Sequence, residues 1–212
     1  MIQPLEQSIS RFERGRRPFS LLVIVKRFIL PPISSLSDPR LEEEIADRRR
    51  FQIFLGLSSG EAIPDETTIC RYRELFAREK LDRQLFRAFN DQLKKAGLIL
   101  EKGTIIDASI KPSYTRPSAQ SRDKDAIFLK RGKQTFFGYK AHIGIDAKTM
   151  VIHRIEFTPT HGHDSEMFDH LLTGKETAVL ADKGYANEQR QSRLRQEGIF
   201  CGVLDKSYRN RP

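Results

Sequence analysis

The spacing of the apolar residues changes near Gly103, and this change limits the folds open to the chain. From Ser20 to about Leu98 the apolar residues recur at helical intervals, whereas after Gly103 they form short runs separated by turns, as they do in strands. A chain of 212 residues with 38% hydrophobic content can bury a core in one large domain or two small ones. The sequence therefore predicts an α+β fold in which a helical half precedes a sheet.

The helical half begins with two apolar-rich segments. The first, FSLLVIVKRFIL, is predicted to form a helix that stops at Pro31 and Pro32, because proline lacks a backbone N–H. The second, SSLSDPRLEEEIADRRRFQIFLGL, is predicted to form a single helix with acidic residues in its first turns and arginines later, the order that the helix dipole favours. The last amphipathic segment of this half, LDRQLFRAFNDQLKKAGL, is predicted to form a helix that ends near Gly97.

Arginines on the helix predicted between these segments indicate a possible contact with DNA. The segment IPDETTICRYRELF follows a turn that carries glycine and proline, and Asp65 or Thr67 can cap its helix. Arg71 and Arg73 lie off the apolar face of that helix. A helix, a short turn and a second helix with arginines fit a helix-turn-helix that lays Arg71 and Arg73 along DNA. The alternative is an ordinary helical pair with surface arginines.

The second half predicts five strands and two helices. GTIIDASI is the first strand, FGYKAHIGID and MVIHRIEFT form a hairpin across Ala147 to Thr149, AVLAD is the fourth strand and IFCGVL the fifth. HDSEMFDHLL is predicted to form a helix between the third and fourth strands, with Asp164 or Ser165 as its N-cap. ANEQRQSRLRQEG is predicted to form the helix between the fourth and fifth strands.

Two aspartates stand out in these strands. Asp107 lies among β-branched residues of the first strand, where an ionised carboxylate is costly without a partner, and Asp182 ends the fourth strand. If the two strands are neighbours, both side chains can project from one end of the sheet. Facing carboxylates attract hard divalent cations, and a pair of such ions about 4 Å apart can promote phosphodiester chemistry. The alternative is that each aspartate is a strand-end or turn residue bonded to backbone amides.

Charge gives a separate indication of the partner. Lysine and arginine number 37 against 28 acidic residues, a net charge of +9, which favours polyanionic partners and nucleic acid above all. A basic protein that is merely soluble is the alternative. The segment that follows Asp107 concentrates this charge, since Asp123 and Asp125 are its acidic residues and eight are basic: Lys111, Arg116, Arg122, Lys124, Lys130, Arg131, Lys133 and Lys140.

Other function classes find little support in the sequence. Cys70 and Cys201 are far apart with no CxxC pattern, which argues against a disulfide framework or a zinc knuckle and fits a reducing cytoplasm. The apolar run LLVIV at 21–25 is too short to span a bilayer, so membrane insertion is not expected. No P-loop, nucleophile elbow or dinucleotide-binding glycine motif occurs, which argues against nucleotide binding and nucleophilic-serine chemistry.

Several motifs in order resemble one family. GTIIDASI, FFGYKAHIGID, TPTHGHDSEMFDHLL and above all AVLADKGYAN resemble the DDE transposases of bacterial insertion sequences, which carry an RNase H-like catalytic domain. LSDPRLEEEIADRRRFQIFLGL and IPDETTICRYRELF resemble the helical N-terminal region of the same family, so the likeness runs from about Phe19 to the end. The resemblance implies an N-terminal tail over 1–18, a helical, helix-turn-helix-like DNA-binding domain over 19–98, and a partial RNase H-like catalytic domain over 99–212.

The resemblance also implies an activity and the residues for it. Asp107 and Asp182 would be catalytic and would bind Mg²⁺ or Mn²⁺, while the protein cuts the ends of an insertion sequence and joins them to target DNA. The implied partner is double-stranded DNA, both terminal repeats and target, bound by a homo-oligomer in the bacterial cytoplasm at the nucleoid. The residues expected to contact DNA are basic: Arg71, Arg73, Lys130, Arg131, Lys133, Lys140 and Lys183.

One element of the family pattern is missing from this sequence. The third acid of the family is a glutamate on a helix after the fifth strand, and the chain ends at Pro212, just past that strand. Glu188 and Glu197 belong to the helix before the fifth strand and are not assigned to the triad. The fold is therefore expected to be incomplete at its C-terminus. Two functions stay open: a transposase completed by a separate C-terminal part, or a truncated and catalytically dead form that acts only by binding DNA or by inhibition.

Overall fold

The computed structural model of the chain describes residues 19–58, 60–113, 126–131, 133–159 and 164–204. It divides the chain into two compact units, with the boundary between Phe89 and Asn90. The first unit is helical, and the second contains a mixed sheet with flanking helices, as expected for an α+β protein. Within the described ranges, no helix has the length and apolar character needed to cross a membrane.

Helices form the first unit and enter the second. They are α1 (Leu21–Ser34), α2 (Asp38–Asp47), α3 (Arg49–Leu55), α4 (Glu66–Arg78) and α5 (Leu81–Lys95), the last of which crosses the boundary between the units. Two apolar clusters hold the first unit together. One joins α1 to α4 and the start of α5 through Leu21, Ile24, Ile69, Phe76 and Leu81, and the other joins α1 to α2 and α3 through Leu30, Leu41, Ile45 and Leu55.

The first helix is longer than its prolines suggested. It passes through Pro31 and Pro32 and ends at Ser34, so the prediction that it stops at the prolines is wrong. The fixed φ of proline suits a helical backbone, and the loss of two N–H groups here is confined to the last turn. Ser35 then takes a left-handed conformation, with φ at 57°, and its N–H bonds to the carbonyl of Pro31 at 2.8 Å.

The second predicted helix is two helices in the structure. Arg48 has extended backbone angles, φ −108° and ψ 106°, and separates α2 from α3. The side-chain amide of Gln52 donates to the carbonyls of Ile45 and Ala46, both at 3.0 Å. Because Gln52 supplies donors that a continuous backbone would have provided, the break costs less than its position in an apolar periodic segment suggests.

The helix with the arginines begins as predicted. The Asp65 side chain accepts a hydrogen bond from the backbone N–H of Thr68 at 2.6 Å, which makes Asp65 the N-cap of α4. The connection from α3 to α4 spans residues 56–65 and is longer than the three or four residues of a helix-turn-helix turn. The helix-turn-helix therefore stays a prediction.

A buried ion pair links α1 to α2. The Arg27 side chain is fully buried, and its guanidinium donates to the Asp38 carboxylate at 3.2 Å and to the Asp38 carbonyl at 2.9 Å. Arg73 of α4 also donates to the Asp38 carboxylate and lies over the Phe28 ring. Burial alone would raise the pKa of Asp38, but hydrogen bonds and charge from Arg73, together with Arg27, hold that pKa below its ordinary value. One carboxylate thus serves two guanidinium groups.

The sheet of the second unit is mixed. Its strands are β1 (Gly103–Pro112), β2 (Ile127–Arg131), β3 (Gln134–Asp146), β4 (Ile152–Pro159), β5 (Ala178–Ala181) and β6 (Phe200–Val203). β1 pairs antiparallel with β3 on one side and parallel with β5 on the other, and β6 pairs parallel with β5. β4 and β2 both pair with β3, along different stretches of it. Apart from β2, this order and these directions are those of the expected RNase H-like sheet.

Two elements of this unit differ from the sequence prediction. β2 was not foreseen, because its five residues lie within the basic segment and pair with the first residues of β3. The predicted helix HDSEMFDHLL is wrong over its described residues, 164–172, which form two 3₁₀ turns, Asp164–Met167 and Asp169–Leu171, in place of an α-helix. Phe168 and Leu171 are both fully buried and lie three residues apart, a spacing that a 3₁₀ turn places on one side. The helix predicted after the fourth strand is present as α6 (Glu188–Gln196).

A buried carboxylate at the end of β3 is hydrogen-bonded to the segment that precedes β1. Asp146 is 1% exposed and accepts four backbone N–H bonds, from Leu100 at 2.7 Å, Glu101 at 3.0 Å, Lys148 at 3.1 Å and Thr149 at 3.0 Å. Burial alone would raise its pKa, but the four amides outweigh burial and lower the pKa to about 2. The β3–β4 turn and the segment before β1 are therefore tied by one side chain.

This carboxylate should make the stability of the second unit depend on pH. Because the pKa of Asp146 is about 2 when folded and 3.8 ordinarily, its contribution is fully present above about pH 4 and is lost as the pH falls through about 2. We expect Asp146→Asn to lower the free energy of unfolding by about 2 kcal/mol near neutral pH, and by much less near pH 2. Urea unfolding at both pH values measures this. Asp91→Asn, on an exposed residue, is the control, and an equal loss at both pH values would contradict the assignment.

Candidate active site

The pairing of β1 with β5 brings two aspartates to one edge of the sheet. The parallel register ends with Ile106 opposite Ala181; Asp107 follows within β1, and Asp182 follows the last residue of β5. The two aspartates therefore lie at the same level of the sheet, at the carboxyl end of β5. This arrangement is the one that the sequence predicted for neighbouring first and fourth strands.

A polar cavity of about 250 Å³ opens at this edge. Three aspartates line it, Asp107, Asp164 and Asp182, together with Lys130 and Lys140. The remaining lining residues are Ala108, Ser109, Ile110, Leu129 and Tyr185. Asp164 was predicted only as a helix cap, since nothing in its local pattern shows that the chain returns to the end of β1.

Asp107 and Asp182 are both exposed and bonded to local backbone. One oxygen of Asp107 accepts from the N–H of Ala108 at 2.8 Å, and one oxygen of Asp182 accepts from the N–H of Gly184 at 2.8 Å. A Cβ on Gly184 would approach the Asp182 Oδ1 to 2.9 Å, so a larger residue here would shift this carboxylate. Within the described residues, neither carboxylate forms an ion pair with lysine or arginine. Both therefore keep anionic oxygens for a hard cation.

The third carboxylate already has a cation partner. Lys140 Nζ lies 2.8 Å from Asp164 Oδ1, and both side chains are partly buried. Lys140 thus offsets the charge of Asp164 and leaves Asp107 and Asp182 as the uncompensated acids of the cavity. Among the residues that the structure describes, no group of three histidine, cysteine, aspartate or glutamate side chains is arranged to hold a metal ion. Asp107 and Asp182 are the carboxylates of this cavity that have no described ion-pair partner.

Tyr185 is the most buried of the residues that line this cavity. It is 2% exposed, and its hydroxyl has no hydrogen-bond partner among the described residues. Burial, with smaller effects from the charges of Asp164, Asp107 and Asp182, raises the pKa of this hydroxyl well above its ordinary value. The hydroxyl is therefore neutral at physiological pH and can donate a hydrogen bond.

Arg190 of α6 ties together the two turns that carry Asp164 and Asp182. Its guanidinium donates to the carbonyl of Ser165 at 2.7 Å and to the carbonyl of Tyr185 at 3.2 Å. It also lies 4.5 Å from the centre of the Phe168 ring. Sequence reasoning missed this residue, because its polar helix gives no sign of which arginine faces inward.

The basic residues predicted to contact DNA in the second unit are spread around the cavity. Lys130 and Lys140 line it, and Lys183 is exposed directly after Asp182. Lys133 is exposed beside the β2–β3 turn. The side chain of Arg131 lies outside the described residues.

The two arginines predicted for DNA differ in their surroundings. Arg71 is exposed on α4. Arg73 is partly exposed, at 46% of its side chain, but its guanidinium is bonded to Asp38. Of these two arginines, Arg71 therefore presents its charge outward with no carboxylate partner among the described residues.

Comparison with known families gives two matches. Residues 99–209 match the family model described as "Transposase DDE domain", which covers more than half of the chain. Residues 1–75 match the model described as "Transposase domain (DUF772)". Asp107, Asp164 and Asp182 all lie inside the first of these matches.

Solved structures resemble the chain only distantly. A piggyBac transposase synaptic complex with hairpin DNA aligns with 99% of this chain and 48% of its own, at 13% identity and a TM-score of 0.49. The Mos1 strand transfer complex aligns with 97% of this chain and 67% of its own, at 14% identity and a TM-score of 0.28. The chain thus spans about half the length of the piggyBac protein.

Proposed function

The chain belongs to the transposase DDE domain family, and from that membership we propose that it binds the ends of an insertion sequence and, with Mg²⁺ or Mn²⁺, cleaves and transfers DNA strands. The observation that carries this proposal is the meeting of Asp107 and Asp182 in one cavity at the edge of an RNase H-like sheet. A divalent metal ion is the cofactor that this family implies.

Asp107 and Asp182 are the residues that would hold the cation. One oxygen of each carboxylate accepts a hydrogen bond from a nearby backbone N–H, which orients the group. Neither carboxylate forms an ion pair among the described residues. A divalent ion bound there would supply Lewis-acid stabilisation of a phosphoryl oxygen and a more acidic bound water. Asp182 caps the 3₁₀ turn Lys183–Tyr185, so the turn that carries Lys183 also fixes the position of this carboxylate.

Basic residues around the cavity would bind the phosphate backbone. The cavity has three lysines in or beside it, Lys130, Lys140 and Lys183. We expect two further basic residues of the β2–β3 region, Arg131 and Lys133, to contact the same phosphate backbone. Contacts of this kind position DNA and carry no sequence information. In the helical region, taken as the DNA-binding domain over 19–98, Arg71 would contact DNA, whereas Arg73 would hold α4 to Asp38.

The assembly that we propose is a homo-oligomer on paired DNA ends. A transposase must bring two element ends together before it joins them to target DNA, and copies of one chain on each end achieve this. Residues 99–212 would be the catalytic part of each copy. The protein would bind this DNA at the nucleoid, in the bacterial cytoplasm.

A plasmid that carries the DNA flanking this reading frame tests the proposal. We expect the chain to nick that plasmid with Mg²⁺ or Mn²⁺ and not with a chelator, and to bind it with an affinity that falls steeply with salt. Binding without any cation-dependent nicking would overturn the catalytic proposal in favour of a DNA-binding or inhibitory role. An affinity indifferent to salt would contradict both roles.

A further inference from the structure

The unpaired hydroxyl of Tyr185 lowers the stability of the folded chain. The ring packs in the core of the second unit beside Phe168, with the ring centres 6.2 Å apart, and phenylalanine would fill the same space. The hydroxyl oxygen is buried and has no hydrogen-bond partner among the described residues. A buried polar group without a partner opposes folding. A partner that reaches the hydroxyl would remove this cost.

The surroundings of this hydroxyl define what that partner is. Tyr185 lines the cavity of Asp107, Asp164 and Asp182. A tyrosine hydroxyl with an ordinary pKa of about 10 is protonated at neutral pH and can donate a hydrogen bond. The partner must be an acceptor. The hydroxyl has no hydrogen-bond partner among the described residues, and an acceptor from outside would have to approach it through the cavity that Tyr185 lines.

The charged residues that line the cavity limit which acceptors can bind next to Tyr185. A bare anion would be repelled by Asp107 and Asp182, but a cation bound to them removes that repulsion. Lys130 and Lys140 line the same cavity and attract anionic oxygen. A phosphate oxygen that enters with the cation satisfies the hydroxyl, whereas a bound cation alone offers it no acceptor.

We propose that Tyr185 is a substrate-binding residue whose hydroxyl donates a hydrogen bond to a phosphate oxygen of DNA held in the cavity. This inference rests on the proposed function, because it takes the ligand to be DNA and the cation to be bound by Asp107 and Asp182. It adds a neutral donor to a site otherwise lined by charged groups.

Tyr185→Phe separates this role from a structural one. The probe is a fluorescent duplex of the DNA flanking the reading frame, titrated into the full chain with Ca²⁺ or with a chelator. We expect the variant to bind the duplex about tenfold to a hundredfold more weakly with Ca²⁺ and unchanged without it, since a hydrogen bond to a charged group is lost. Its unfolding midpoint should equal or exceed that of the wild type, because only an unpartnered hydroxyl is removed.

Thr149→Val is the matched control. The Thr149 hydroxyl is also buried without a described partner, but it lies in the β3–β4 turn and does not line the cavity. Its loss should leave DNA binding unchanged with or without Ca²⁺.

The outcomes distinguish this inference from the proposed function. If Tyr185→Phe keeps full Ca²⁺-dependent affinity while Asp107→Asn loses it, the role of Tyr185 is wrong and the cation site stands. A lower unfolding midpoint with unchanged binding would also overturn it, by showing that the hydroxyl is structural. If Ca²⁺ has no effect on wild-type binding, this inference fails, and the nicking assay alone decides the proposed function.

Discussion

Asp107→Asn should remove the cation-dependent nicking of the chain while leaving its fold intact. Asparagine keeps a side-chain oxygen for the N–H of Ala108, which lies 2.8 Å from the present carboxylate, so the local backbone bond survives. The negative charge is lost, and with it the pairing of two carboxylates that would hold the cation. Because a metal ion contributes several kcal/mol to the stabilisation of a phosphoryl transition state, we expect the nicking rate to fall by at least about a thousandfold.

The measurement is a single-turnover nicking assay with Mn²⁺, together with a thermal unfolding curve for each variant. Asp91→Asn serves as the control, since it removes an exposed carboxylate of the same unit that does not line the cavity. Asp182→Asn should match Asp107→Asn. Nicking that persists in the Asp107 variant would sink the assignment of the cation site.

Asp38→Ala should strongly destabilise the helical unit. Arg27 is fully buried, and its partner in the described structure is Asp38, through both the carboxylate and the backbone carbonyl. Alanine would leave a buried guanidinium with its charge uncompensated and would also release Arg73. Breaking a buried ion pair on one side costs about 3–5 kcal/mol, which should lower the unfolding midpoint of a unit of this size by more than about 10 °C.

A double variant decides whether the buried charge is the cause. Arg27→Met combined with Asp38→Ala removes both charges, so it should recover a clear part of the stability lost in Asp38→Ala alone. Circular dichroism of the helices during heating follows the transition. Asp47→Asn, on the exposed end of α2, should leave the midpoint nearly unchanged. If the double variant is no more stable than the single one, loss of packing and not the unpaired charge explains the effect.

The sequence predicted the features that depend on strand pattern and strand order. Asp107 and Asp182 could be placed together because one lies inside the first strand, the other ends the fourth, and the two strands were expected to be neighbours. The β3–β4 hairpin and the Asp65 cap followed from local patterns of the same kind.

What the sequence did not predict depends on contacts between distant residues. Arg73 bonds to Asp38, 35 residues away, and no periodicity along α4 indicates that pairing. The break at Arg48 is stabilised by the side chain of Gln52, where local propensity favours a continuous helix. Asp164 reaches the cavity because the chain after β4 folds back in 3₁₀ turns, which an apolar spacing of three and four residues did not distinguish from an α-helix.

The guanidinium of Arg190 has a consequence for the motion of the cavity. One guanidinium donates to the carbonyls of both Ser165 and Tyr185. Opening either turn breaks a hydrogen bond to Arg190, and this loosens the side chain that also restrains the other turn. The two walls that carry Asp164 and Asp182 should therefore loosen together, as a single cooperative opening unit with a shared free energy.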